Sequence, residues 1–105
     1  MSDCGGGGDL VNTTLTFSDG ATALPNTAQI TTGTYSPTNF GIGDSFAQPA
    51  PPGQPPDPQQ MSAFNGGTPN GTWSLYLVDD LTSNAGSLAG GWSLTITTEE
   101  PRCCA

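Results

Sequence analysis

An all-β fold is what this sequence predicts, and three observations lead there. Short segments alternate apolar and polar residues with a period of two. No stretch of about ten residues carries the apolar spacing of a helix. Finally, 15 Gly and 10 Pro among 105 residues interrupt the chain often enough to keep its elements short. Only 33% of the residues are hydrophobic, so any core is thin, and a chain of this length makes one domain at most.

The first strand is expected over Val11–Phe17. Val11, Thr13, Leu15 and Phe17 would share one face, with Asn12, Thr14 and Thr16 on the other. Glycines precede it and Asp19-Gly20 would end it. A second strand is expected over Thr72–Val78, introduced by the turn sequence Pro69-Asn70-Gly71. Trp73, Leu75 and Leu77 would face one side, and Ser74, Tyr76 and Val78 the other; apolar groups on both faces suggest a central strand. A third is expected over Trp92–Thr98, where Trp92, Leu94 and Ile96 alternate with Ser93, Thr95 and Thr97. The intervening Asp79–Gly91 suits an antiparallel connection with a short extra strand near Ser87-Leu88. Weaker strand candidates are Ala28–Thr32 and Met61–Phe64.

Residues 47–60 hold six prolines, which remove backbone donors and forbid a central strand. The segment is expected to be an exposed polyproline II or irregular loop. It reads as a tolerated surface insertion rather than as a ligand for an SH3-like domain.

Charge excludes several functions. Nine acidic residues face a single Arg, Arg102, with no Lys and no His, for a net charge of -8. Nucleic-acid binding needs a basic footprint to displace counterions, and an anionic membrane surface makes the same demand. No segment approaches the roughly 20 apolar residues of a membrane span, and no signal peptide is legible, so for a secreted or cell-surface protein the signal is expected upstream. Of three cysteines, Cys103 and Cys104 are adjacent and rarely bond each other. A Cys4 bridge to the tail stays open, whereas no CxxC spacing supports zinc.

Catalysis is the weakest hypothesis. Hydroxyls such as Ser2, Ser62 and Ser74 need a general base, and the usual partners are missing. Asp79 and Asp80 are consecutive and point to opposite sides, so they cannot flank one glycosidic bond. Calcium is the candidate cofactor, since an oxygen-rich turn can supply its ligands. Asp3, Asp9, Asn12 and Asp19 lie in or beside the glycine-rich opening, and Asp79, Asp80 and Asn84 offer a second loop. Among these, Asp3, Asp9, Asp79 and Asp80 are the candidate metal ligands, against a plain turn-forming role for each. A sugar platform is one reading of Trp73 and Trp92, but each opens a row of Leu or Ile, which favours core packing. Asn12-Thr13-Thr14 and Asn70-Gly71-Thr72 fit the N-glycosylation pattern, although Asn70-Gly71 is explained as a turn.

Residues 63–80, Ala63-Phe64-Asn65-Gly66-Gly67-Thr68-Pro69-Asn70-Gly71-Thr72-Trp73-Ser74-Leu75-Tyr76-Leu77-Val78-Asp79-Asp80, are followed by Gly86-Ser87-Leu88-Ala89-Gly90-Gly91-Trp92-Ser93-Leu94-Thr95-Ile96. Together they resemble the C-terminal half of the proprotein convertase P domain, also called P/Homo B. That family shows an N-G-T-W-x-L-x-V-x-D core, a glycine-rich loop, G-x-L and a closing W-x-L strand. The opening Met1–Asp9 also looks like an internal turn of bacterial relatives, so the resemblance implies a module lacking its first strands. It further implies a jelly-roll-like, galactose-binding-like antiparallel β-sandwich over residues 1–98, with 47–60 as the Pro-rich loop insertion and 99–105 as a tail. The function implied is that of a non-catalytic accessory module in a secreted multidomain protein. It would dock on and stabilise a neighbouring domain, plausibly a subtilisin-like serine protease, often with calcium. No catalytic residue carries over, because the family keeps its triad in another domain. The rival expectations are a cell-surface adhesion or carbohydrate-binding module, and a non-functional gene fragment, for which Met1 falling inside a motif is the ground.

Overall fold

The computed structural model describes residues 4–41, 46–50, 60–78 and 85–99. The chain divides into two compact units, Met1–Gly66 and Gly67–Ala105, each treated by itself below.

Among its described residues the first unit is built on two strands, β1 (Leu15–Ala23) and β2 (Gly33–Ser36), and one turn of 3-10 helix, Met61–Phe64. The described secondary structure is therefore all-β apart from that turn. Alternation is clear at the start of β1: Thr13, Leu15 and Phe17 are half-buried while Thr14 and Thr16 are exposed. Val11 does not join this row and is 74% exposed. The cause is Asn12, whose φ of 48° turns the chain into the left-handed region and breaks the pleat before the strand begins.

Asp19-Gly20, expected to end the strand, instead lies within it. Phe17 and Thr22 both stand opposite Tyr35, so residues 18–21 bulge out of the ladder while β1 continues to Ala23. Gly20 makes this possible with a φ of 81°. The two strands run parallel, Leu15 opposite Gly33 and Ala23 opposite Ser36. The antiparallel arrangement expected for the sandwich is thus not what joins this pair. Segment 24–32, which contains the weaker strand candidate Ala28–Thr32, is the irregular connection between them, and β2 starts just after it.

A two-stranded ribbon is marginal alone and needs packing. Among the described residues the cover is small: Leu24, Ile30 and Ala50 are the buried apolar residues, joined by one buried polar residue, Thr38. Thr38 Oγ1 accepts a hydrogen bond from the Leu24 N–H at 3.0 Å and donates one to the Ser36 carbonyl at 2.8 Å. Burying that hydroxyl is therefore compensated at both ends. The glycine run seals another side. Gly5 and Gly6 donate their N–H groups to the carbonyls of Pro25 and Asn26, at 2.8 and 2.9 Å. A β-carbon on Gly5 would stand 2.7 Å from Ile30 Cδ1, and one on Gly6 would strike the Thr27 carbonyl oxygen. This close docking is the physical reason for the glycines. Ala50, expected in an exposed loop, is buried, and the described start of the Pro-rich segment turns through a cis Gln48–Pro49 bond. Met61–Phe64, a strand candidate by sequence, is the 3-10 turn.

In the second unit the expected strands are not formed: described residues 67–78 and 85–99 carry neither strand nor helix. Trp92 is 48% exposed, and Trp73 is half-buried with its indole N–H donated to the Pro69 carbonyl at 3.0 Å. The expectation that these two residues fill a shared interior is corrected accordingly. Alternation defines which face a strand would bury but supplies no ladder partner, and no ladder exists here among the described residues. Near Ser87-Leu88 the chain turns instead, with Gly91 N–H on the Leu88 carbonyl at 3.2 Å and Gly91 at a φ of 70°.

Candidate functional site

The most organised polar feature of the first unit is the β1 bulge and what it holds. By looping out residues 18–21, the ladder irregularity projects the Asp19 side chain from the sheet. Its Oδ1 accepts the Met61 N–H at 2.6 Å and its Oδ2 accepts the Ser62 N–H at 2.7 Å. These are the opening amides of the 3-10 turn, whose first N–H groups have no partner within the turn itself. Charge-assisted bonds of this length favour the anion, and the Met61 N–H is the chief cause that lowers the Asp19 pKa below its ordinary value; desolvation opposes it.

Beside this clasp lies a shallow, open cleft of about 770 Å³, bordered by Asp19, Ala23, Ser36, Thr38, Gln60 and Ser62 among others. Both Asp19 oxygens already accept backbone N–H groups, so the carboxylate serves as a clasp rather than a free acid or base. Ser62 donates its hydroxyl to Gln60 Oε1 at 3.2 Å. No basic side chain stands ready to activate it, because the chain has no Lys and no His. Chemically, the arrangement holds two segments together and offers no nucleophile–base pair.

The candidate calcium ligands fare differently from one another. Asp3, Asp79 and Asp80, with Asn84, lie outside the described residues. Asp9 is described and exposed; its backbone carbonyl accepts Gln29 Nε2 at 2.8 Å. Asp19, whose loop also drew attention, is committed to Met61 and Ser62, and the Asn12 side chain is exposed on its left-handed turn. Among the described residues no three His, Cys, Asp or Glu side chains gather as metal ligands. The glycine run presents amides to residues 25 and 26 there. The Cys4 thiol donates to the Thr38 carbonyl at 3.6 Å, while Cys103 and Cys104 lie outside the described residues.

The Asp19 clasp was missed by sequence reasoning, which treated Asp19-Gly20 as a strand end. Nothing local marks it, since its partners are 42 and 43 positions away.

The second unit presents a different kind of surface. Leu75, Leu77, Val78, Trp92, Leu94 and Ile96 are exposed, from 37% at Leu94 to 69% at Leu77. Among the described residues, no helix is long and apolar enough to cross a membrane. Compared with family models, curated proteins and solved structures, the chain matches none of them.

Proposed function

We propose that this chain is a non-catalytic β-module of a secreted or cell-surface multidomain protein, docking on and stabilising a neighbouring domain. The observation that carries the reading is the pair of uncovered apolar rows, Leu75–Val78 and Trp92–Ile96, in the second unit. Contiguous exposed apolar surface marks an interaction site or a surface awaiting cover. Removing it from water is worth about 25 cal/mol per Å² of apolar area, enough for such rows to dominate a docking interface.

The spacing of Asn70-Gly71-Thr72-Trp73, Gly86-Ser87-Leu88 and Trp92-Ser93-Leu94 gives the finer form of the proposal. In that form the module is P-domain-like, its rows enter a jelly-roll-like antiparallel sandwich once further strands cover them, and its neighbour is a subtilisin-like serine protease domain. Composition supports the non-catalytic part, since the chain offers no Lys or His as a base. Calcium belongs to the proposal through Asp3, Asp79 and Asp80. Asp9, described and exposed, stays with them as a candidate ligand.

The experiment is to melt the protease domain that the proposal expects beside this chain, alone and mixed with the chain. A raised melting temperature that Leu75→Asp and Ile96→Asp abolish supports the reading. No rise overturns it, and selective binding on a glycan array would favour a carbohydrate-binding module instead.

A further inference from the structure

Asn precedes Gly twice in this chain, at Asn65-Gly66 and Asn70-Gly71. In such a pair the backbone nitrogen of the glycine can reach the side-chain carbonyl carbon of the asparagine, because glycine has no β-carbon to crowd the approach. Local conformation then decides which pair reacts, and the two differ here. Asn65 ends the 3-10 turn with its N–H on the Ser62 carbonyl at 3.0 Å, and Ser62 is in turn clasped by Asp19. Its ψ of 145° swings the Gly66 nitrogen away from the Asn65 side chain. Asn70 is exposed, and among the described residues no hydrogen bond engages its side chain or the Gly71 N–H. Gly71 has a φ of 135°, and nothing lies within 4 Å of where its β-carbon would be. That leaves the peptide open to rotation and to water.

A second feature gives the reaction a consequence. The Trp73 indole N–H reaches back to the Pro69 carbonyl at 3.0 Å, closing a small loop that contains Asn70 and Gly71. We propose that Asn70 is a site of spontaneous conversion to isoaspartate, and that the conversion undoes the Trp73–Pro69 closure. The proposal stands apart from the docking function.

The step balances without an outside oxidant or reductant. The Gly71 nitrogen forms a bond to Asn70 Cγ and gives up its proton; the Cγ–Nδ2 bond breaks and ammonia leaves with that proton, producing a cyclic imide. Water then opens either imide carbonyl. Opening at the main-chain carbonyl routes the backbone through Cβ, inserting a methylene into the closed loop and leaving a free carboxylate. A loop lengthened in this way cannot keep the indole N–H in line with the Pro69 carbonyl, since such bonds weaken steeply with misalignment.

The test uses the full chain held at neutral pH for weeks, in a Trp92→Phe background so that emission reports Trp73. Chymotryptic cleavage after Phe64 and Trp73 releases residues 65–73, which carry both asparagines; a single Arg makes trypsin unsuitable. Electron-transfer fragmentation then assigns each conversion. The expected result is conversion at Asn70 severalfold faster than at Asn65, isoaspartate as the major product, and a red shift of Trp73 emission in step with it. Asn70→Gln should remove both the conversion and the drift in emission, and Asn65→Gln should leave both. Equal rates at the two sites, no conversion at Asn70, or conversion with unchanged Trp73 emission would each overturn the proposal.

Discussion

Asp19 and Ser62, 43 positions apart, are joined by a 2.7 Å bond from the Ser62 N–H to Asp19 Oδ2, with Oδ1 holding the adjacent Met61 N–H. The clasp fastens the residues just beyond the Pro-rich segment to the bulge of β1. Because the bonds hold the anion, the pKa of the folded state is depressed. Their contribution is therefore complete above the ordinary aspartate value of about 4 and is lost as pH falls through the lower folded value. The Met61 and Ser62 amide resonances should stay constant from neutral pH downward and then move together below about pH 4. Asp19→Asn should remove that titration and increase hydrogen exchange at both amides. A shared midpoint above the ordinary aspartate range would refute the clasp.

The glycine docking makes a graded prediction. Gly6, with a φ of 60° and the Thr27 carbonyl oxygen standing where a β-carbon would go, should tolerate no side chain. Gly6→Ala is expected to cost about 1–2 kcal/mol from the backbone conformation alone, and more from the collision. Gly7→Ala, with nothing within 4 Å of the new carbon, should be close to neutral. Chemical denaturation of the two variants compares them directly, and equal effects would argue against the docked arrangement.

The buried hydroxyl of Thr38 offers a third test. Thr38→Val keeps the shape but leaves the Leu24 N–H without its partner, at a cost of about 1–3 kcal/mol. Leu24→Ala, at the most buried side chain, should cost about 2–5 kcal/mol by removing packed methyl groups. Denaturant midpoints measure both. A neutral Thr38→Val would mean that the hydroxyl does not bridge Leu24 and Ser36.

Exposed apolar rows predict self-association when nothing else covers them. The isolated chain should bind an environment-sensitive hydrophobic dye and sediment above its monomer mass at high concentration. Leu77→Asp with Trp92→Ser should reduce both signals severalfold, with little effect on unit 1. A dye-silent monomer at all concentrations would remove the basis for docking through these rows.

Calcium is tested by melting the chain with and without a chelator. The proposal expects the melting temperature to fall on chelation, and Asp79→Asn with Asp80→Asn to remove the difference. An unchanged melt would discard calcium while leaving the docking rows untouched.

Class and local pattern were legible because both follow from nearest neighbours along the chain. Period-two alternation placed the half-buried row Thr13, Leu15 and Phe17, and Asp19-Gly20 marked a real break in regular pairing. The limits of β1 were harder to see. Asn12 could have been a strand residue or a left-handed turn, and only its φ decided, excluding Val11 from the row. The Asp19 clasp depended on residues brought from far along the chain, which no local spacing encodes.

By itself, then, the sequence determined an acidic, glycine- and proline-interrupted β chain with neither Lys nor His, and it marked which residues would line up on one face of a strand. Composition and alternation act over a few bonds, so they can be read directly. Only the tertiary structure decided that β1 and β2 pair in parallel, that glycines 5 and 6 lie against residues 25–30, and that Asp19 closes on Met61 and Ser62. It also decided that Leu75, Leu77, Val78, Trp92, Leu94 and Ile96 stay exposed within the second unit. Pairing and cover depend on which distant segments meet, and a pleated face specifies the need for a partner without naming one.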